Sequence, residues 1–136
     1  MEHIHINHWA VLVSAAANLV VGAIWYSPML FYKAWMKENN LTEEGIKQNF
    51  NPLKTYGLSF FLSLIISYNL AFFLGDEKTD ALWGATAGFL VGFGFSALIF
   101  SVVALFEFRS WKYMLINGGY ITVYFTLIGF IMGAWR

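Results

Sequence analysis

Cysteine is absent from the chain, which removes disulfide frameworks, thiolate metal sites and cysteine nucleophiles together. Histidine stops at His8, so no imidazole base can stand inside any later helix. Charge is scarce: 12% of the 136 residues are Asp, Glu, Lys or Arg, against about 25% in soluble domains. Eight basic and eight acidic residues cancel, leaving no basic stripe to follow a phosphate backbone, and nucleic acid is not an expected partner. No spacing matches a zincin helix, a phosphate loop or a Ser-His-Asp order. Neither a metal nor a cofactor is expected.

What the chain has instead is apolar surface, at 59% of residues. A soluble domain of this size buries only about 68% of its extended-chain surface, so the excess must face lipid. The flank ahead of the first apolar run, Met1 to His5, carries no Lys or Arg and lacks the positive start of a signal peptide, so that run reads as a retained span. A spanning helix needs about 20 apolar residues. Four stretches qualify: about 9–26, 52–74, 81–106 and 112–135. The two prolines mark boundaries, with Ser27-Pro28 stopping the first span and Pro52 opening the second behind an Asn51 cap. The fold class is all-α, a single membrane domain over 1–136 with four transmembrane helices. A short amphipathic helix at about 29–38 is expected in the headgroup layer, with Lys33 and Lys37 facing water, and Thr42 is placed to start one short turn. Short turns at 75–80 and 107–111 make consecutive spans antiparallel neighbours.

Lys33, Lys37, Lys47, Lys54, Arg109 and Lys112 fall on one side, and Lys78 and Arg136 on the other. That bias places loops 27–51 and 107–111 in the cytoplasm of a cell membrane and both termini outside. Trp9, Trp25, Trp35, Trp83, Trp111 and Trp135 lie near span ends, as an aromatic belt requires. Small or polar residues recur at four-residue spacing in every span: Ser14, Asn18 and Gly22; Ser59, Ser63 and Ser67; Gly84, Gly88 and Gly92; Gly129 and Gly133. Such stripes let helices approach closely, within one chain or between copies.

Gly22-x-x-Trp25-Tyr26-Ser27-Pro28-x-Leu30-Phe31-x-x-Ala34-Trp35-Met36 resembles the N-terminal signature of a bacterial family catalogued as domain of unknown function 1761. Phe106-Glu107-x-Arg109-x-Trp111-Lys112, Ile116-Asn117-x-Gly119-Tyr120 and Gly129-x-x-x-Gly133-Ala134-Trp135 are similar to its C-terminal signature. Tyr32 departs from the glycine expected after Leu-Phe. The resemblance implies a small membrane protein and no assigned activity.

Candidate functional residues follow from polarity at depth. Glu107 and Arg109 sit where the third span ends; they can fix the turn, with Arg109 gripping lipid phosphate, or serve a ligand or proton. Asn18 and Asn69 lie at depths where they can meet. Asn117 is too far along the normal to join them and can reach the Glu107–Arg109 turn, so no single midplane site forms. Tyr120 and Tyr124 share a face and can line a pocket or pack on the third helix's glycines. His3, His5 and His8 read as a His-rich tail ahead of a metal site. A non-enzymatic homo-oligomer binding or passing a small solute or lipid is the first functional expectation, its ligand unidentified. An intramembrane enzyme or proton-coupled site built on Glu107, Arg109 and Tyr120 is the second. A structural subunit of a larger membrane complex is the third.

Overall fold

In the computed structural model, which describes residues 4–136, every regular element is a helix. His3 lies outside the described residues. Helix α1 spans His8–Trp25, α2 Tyr32–Glu38, α3 Glu43–Asn49, α4 Pro52–Phe73, α5 Ala81–Val91, α6 Leu98–Phe106 and α7 Trp111–Ala134. A wide-turn π segment, Gly92–Ala97, joins α5 to α6 as one continuous rod. Four rods, α1, α4, α5–α6 and α7, are long and apolar enough to cross a membrane. One end of the bundle, the terminus end, holds residues 4–7, 135–136 and the 74–80 turn; the other, the loop end, holds residues 26–51 and 107–110.

Local chemistry sets the boundaries. Asn7 accepts from the Trp9 and Ala10 amides, Thr42 from Gly45, Asn51 from Lys54, Asp80 from Trp83 and Ser110 from Tyr113. Each cap satisfies donors the first helical turn leaves open. Pro52 stands at the start of α4, where its missing N–H matters least. The amphipathic helix begins at Tyr32, three residues later than the sequence predicts. The Ser27 carbonyl accepts from Leu30 (2.9 Å) and Tyr32 (3.2 Å), folding Pro28 to Phe31 into successive turns first. Lys33 and Lys37 are exposed on it, while Tyr32, Trp35 and Met36 are half-buried. Residues 43–49 form a complete two-turn helix where one turn was expected.

Helix α7 is the axis of the molecule. It lies along α5 and the π segment on one side and along α1 on the other, and α4 packs chiefly on α1. Consecutive spans are therefore not always neighbours: α4 and α5 do not pack along each other despite their short connection. The reason is at α7, which offers α5 a glycine face that α4 lacks. A Cβ on Gly84 would collide with the Gly129 carbonyl, one on Gly88 with the Phe125 carbonyl, and one on Gly133 with the Asp80 carbonyl. Only hydrogen fits where two backbones touch.

The π segment keeps this seam in phase. Gly84, Gly88 and Gly92 face α7 at four-residue steps, but the next inward residue, Ala97, comes after five. A continued α-helix would rotate Ala97 away by about 140°; the wider π turn returns its Cβ to 3.5 Å from where a Cβ on Gly118 would stand. Opposite the seam, Val11, Leu70, Leu74, Tyr124, Ile128 and Met132 form the apolar core where α1, α4 and α7 converge. Arg136 closes the terminus end by donating to the carbonyls of Leu74 and Asp76, the latter at 2.6 Å, while the His5 amide donates to Gly75.

Candidate functional site

Polar side chains collect on the α1–α4–α7 side. Ser14 and Asn18 project from α1, Ser63 and Ser67 from α4, and Tyr124 from α7; the three serines are fully buried. The Asn18 amide donates to Ser63 Oγ. Tyr124 donates its hydroxyl to the Ser14 carbonyl at 3.3 Å and lies 3.5 Å from Ser67 Oγ. Hydrogen bonds of this kind join membrane helices where lipid supplies no alternative partner. Among the described residues two buried oxygens, Ser14 Oγ and Asn18 Oδ1, have no partner, a deficit worth about 1–3 kcal/mol each.

Rings extend this cluster toward the loop end. Tyr120 lies nearly parallel to Tyr124, with centroids 6.4 Å apart, and Tyr26 follows 5.5 Å from Tyr120. Tyr120 reaches this place across Gly22, 3.8 Å from where a Cβ would stand. The Tyr26 hydroxyl donates to Asn117 Oδ1 at 2.6 Å, and Asn117 in turn donates to the Tyr113 carbonyl. Trp35 of α2 meets Tyr26 edge-on at 6.0 Å. Trp25 donates its Nε1–H to the Ile116 carbonyl at 2.8 Å and covers Gly119, where a Cβ would lie 2.8 Å from the indole. Ser27 caps its own helix by donating to Ile24, and Pro28 is exposed at the bend. The Trp-Tyr-Ser-Pro stretch thus seats α1 on α7 and turns the chain toward α2.

A second cluster holds the loop end. Arg109, half-buried, donates through Nη2 to Asn39 Oδ1 (2.6 Å) and the Glu38 carbonyl (3.2 Å), with its guanidinium 3.7 Å above the Tyr113 ring. A cation at the C-terminus of α2 also meets the negative end of that helix's dipole. Ser110 donates to the Glu38 carboxylate. Both chain reversals here are Schellman turns: Leu41 donates to Met36 and Asn40 to Lys37, just as Arg109 donates to Ala104 and Phe108 to Leu105. Their left-handed residues are Asn40 (φ 53°) and Phe108 (φ 58°), and for phenylalanine that conformation costs about 1–2 kcal/mol. The cleft between the turns is lined by Lys37 and Arg109 and by Glu38, which offsets one of the two cations.

Several sequence expectations are redrawn. Glu107 is exposed, and its carboxylate takes part in no hydrogen bond or ion pair among the described residues; Arg109 turns to α2 instead. Tyr120 lies about 16 Å deeper along α7 than Arg109, so the three proposed partners are not brought together. Asn117 binds Tyr26 and not the 107–109 turn. Asn69 is exposed on the outer face of α4, while Asn18 meets Ser63, because the inward positions of α4 are Ser63, Ser67 and Leu70. Tyr120 and Tyr124 sit on the side of α7 away from the third helix's glycines. Those glycines serve contact within the chain. His8 pairs with the Tyr68 hydroxyl at 2.8 Å, and no three metal-ligating side chains come together among the described residues. The sequence did not reveal Asn39 and Glu38 as partners of Arg109; a cap position on a short helix gave no signal of what it faces.

The family model for proteins of unknown function DUF1761 matches residues 9–133. The chain belongs to this family. The match runs from the first residues of α1 to the last turn of α7, so it takes in both polar clusters and the glycine seam. No curated protein and no solved structure matches the chain.

Proposed function

We propose that this DUF1761 protein is a non-catalytic, self-associating membrane protein that holds the polar part of a lipid or a small uncharged solute between α1, α4 and α7. One observation carries the reading. Asn18 Oδ1, a buried acceptor, has no partner among the described residues, and the hydroxyl of half-buried Tyr120, whose ring lies against Gly22 one turn along α1, takes part in no hydrogen bond among them. An acceptor and a donor left open in this region suit a neutral hydroxyl, amide or ester, since an unpaired polar group in hydrocarbon is costly.

The surroundings argue for binding ahead of chemistry. Residues 9–32, 55–75, 81–106 and 113–135 contain no Asp, Glu, Lys, Arg or His, so no carboxylate, imidazole or amine stands at membrane depth to act as acid or base. Beyond Ser63 toward the loop end α4 draws away: residues 51–58 are all exposed, and nothing on α4 comes within 4 Å of a Cβ placed on Gly22. That divergence gives a ligand lateral access to Tyr120 and Asn18. Self-association rests on the exposed outer face of α4.

Native mass spectrometry of protein released from phosphatidylethanolamine–phosphatidylglycerol nanodiscs, with and without added glycerol, tests the reading. Wild type is expected to retain an adduct that Asn18→Leu/Tyr120→Phe loses. Its mass distinguishes lipid from solute. Identical adducts on both proteins, or none on either, would overturn the proposal.

A further inference from the structure

The outer face of α4 carries a pattern that lipid contact alone does not require. Thr55, Leu58, Leu62, Ile65, Asn69 and Phe72 alternate at steps of three and four, and all six are exposed. They lie opposite the inward residues Ser63, Ser67, Leu70 and Ala71. Steps of three and four average 3.5 residues, the period of a two-helix seam that wraps left-handedly. Near its terminus-end limit the stripe holds an amide. Asn69 is about 6 Å along the axis from the last helical residue, and the chain continues past it as Leu70-Ala71-Phe72-Phe73-Leu74. The Asn69 side chain therefore sits inside the apolar belt, and it makes no hydrogen bond among the described residues. A lipid tail offers an amide nothing, whereas a second amide at the same depth offers both a donor and an acceptor.

We infer that α4 pairs in parallel with α4 of a second copy of this chain along the 55–72 stripe, with the two Asn69 side chains hydrogen-bonded across a twofold axis normal to the membrane. The inference rests on the self-associating reading above and names its surface. Copies inserted in one orientation present α4 in parallel, which brings like residues together and makes the seam self-complementary. Thr55, Leu62 and Asn69 then form one set of layers and Leu58, Ile65 and Phe72 the other. A single Asn in such a seam fixes register and strand number. The weak hold of the chain on its own α4 agrees, since residues 51–58 are exposed on every side.

The native absence of cysteine makes the test direct. Single cysteines at Leu58, Leu62, Ile65 and Asn69 are oxidised in nanodiscs and compared with Tyr56→Cys, exposed on the opposite side of α4, and Ile99→Cys, exposed on α6. Disulfide dimers at the four stripe positions and not at the two controls are expected. Asn69→Leu should weaken association about threefold to tenfold, the worth of an interhelical hydrogen bond in lipid, and Asn69→Gln should restore part of it. Dimers through Ile99→Cys with none through the stripe would overturn the α4 seam and leave self-association standing. A monomer at every protein-to-lipid ratio would overturn both, and ligand retention by such a monomer would still leave the binding reading intact.

Discussion

On one side of α7, backbone meets backbone: Gly129 lies against Gly84 and Gly88, and Gly133 against Asp80, with no side chain between. On the other side, α1 and α4 are held at side-chain distance by Tyr124, Ser14, Ser67, Asn18 and the ring of Tyr120. The first seam is a matter of shape and tolerates no added atom. The second is a matter of donors and acceptors, and it leaves two oxygens without partners among the described residues. Rigidity and unmet hydrogen-bonding capacity are thus segregated to opposite faces of one helix. A ligand that completes the polar face can do so without disturbing the glycine seam.

The comparison can be broken by changing each side in kind. Gly129→Leu should cost about 3 kcal/mol, the upper end of overpacking losses, because the atom it meets is main chain and cannot rotate aside. Detergent-titrated unfolding followed by tryptophan fluorescence measures it. Arg109→Ala should cost about 2 kcal/mol, since it strips a charged partner from the Glu38 carbonyl and Asn39; protease cleavage in 39–42 should speed up while α5–α7 contact stays intact. Tyr124→Phe removes one hydroxyl from the polar face and should cost only about 1 kcal/mol in the same unfolding measurement. Phe108→Gly should stabilise by about 1 kcal/mol, because glycine adopts the left-handed turn without strain.

Much of the architecture was legible in the sequence because lipid imposes a simple rule on length and polarity. The third span, 81–106, matches α5 through α6 end to end, and the caps at Asn51 and Thr42 stand where residue type placed them. Within that span the π segment was invisible, because a five-residue step between Gly92 and Ala97 has meaning only once α7 is known to face it. Trp25 and Trp35 read as belt residues, yet Trp25 is bonded to Ile116 and Trp35 packs on Tyr26, so aromatic position along the normal did not disclose which rings point inward. The polar candidates Asn18 and Asn117 were singled out by their depth, and Tyr120 by its spacing from Tyr124. Their pairing was not, because depth fixes one coordinate and leaves the azimuth around each helix open. Glu107 drew notice beside Arg109, but two residues separated by a left-handed turn point in different directions.

One pair of substitutions on a single rod tests the contrast most directly. Gly88 faces the Phe125 carbonyl, while a Cβ on Gly94, six residues on, would meet nothing within 4 Å. Unfolding free energies of Gly88→Ala and Gly94→Ala, measured in the same bilayer mimic, should differ sharply. Gly88→Ala is expected to lose about 2 kcal/mol or more, and Gly94→Ala to match or slightly exceed wild type. Equal effects at the two positions would contradict a seam set by backbone contact between α5 and α7.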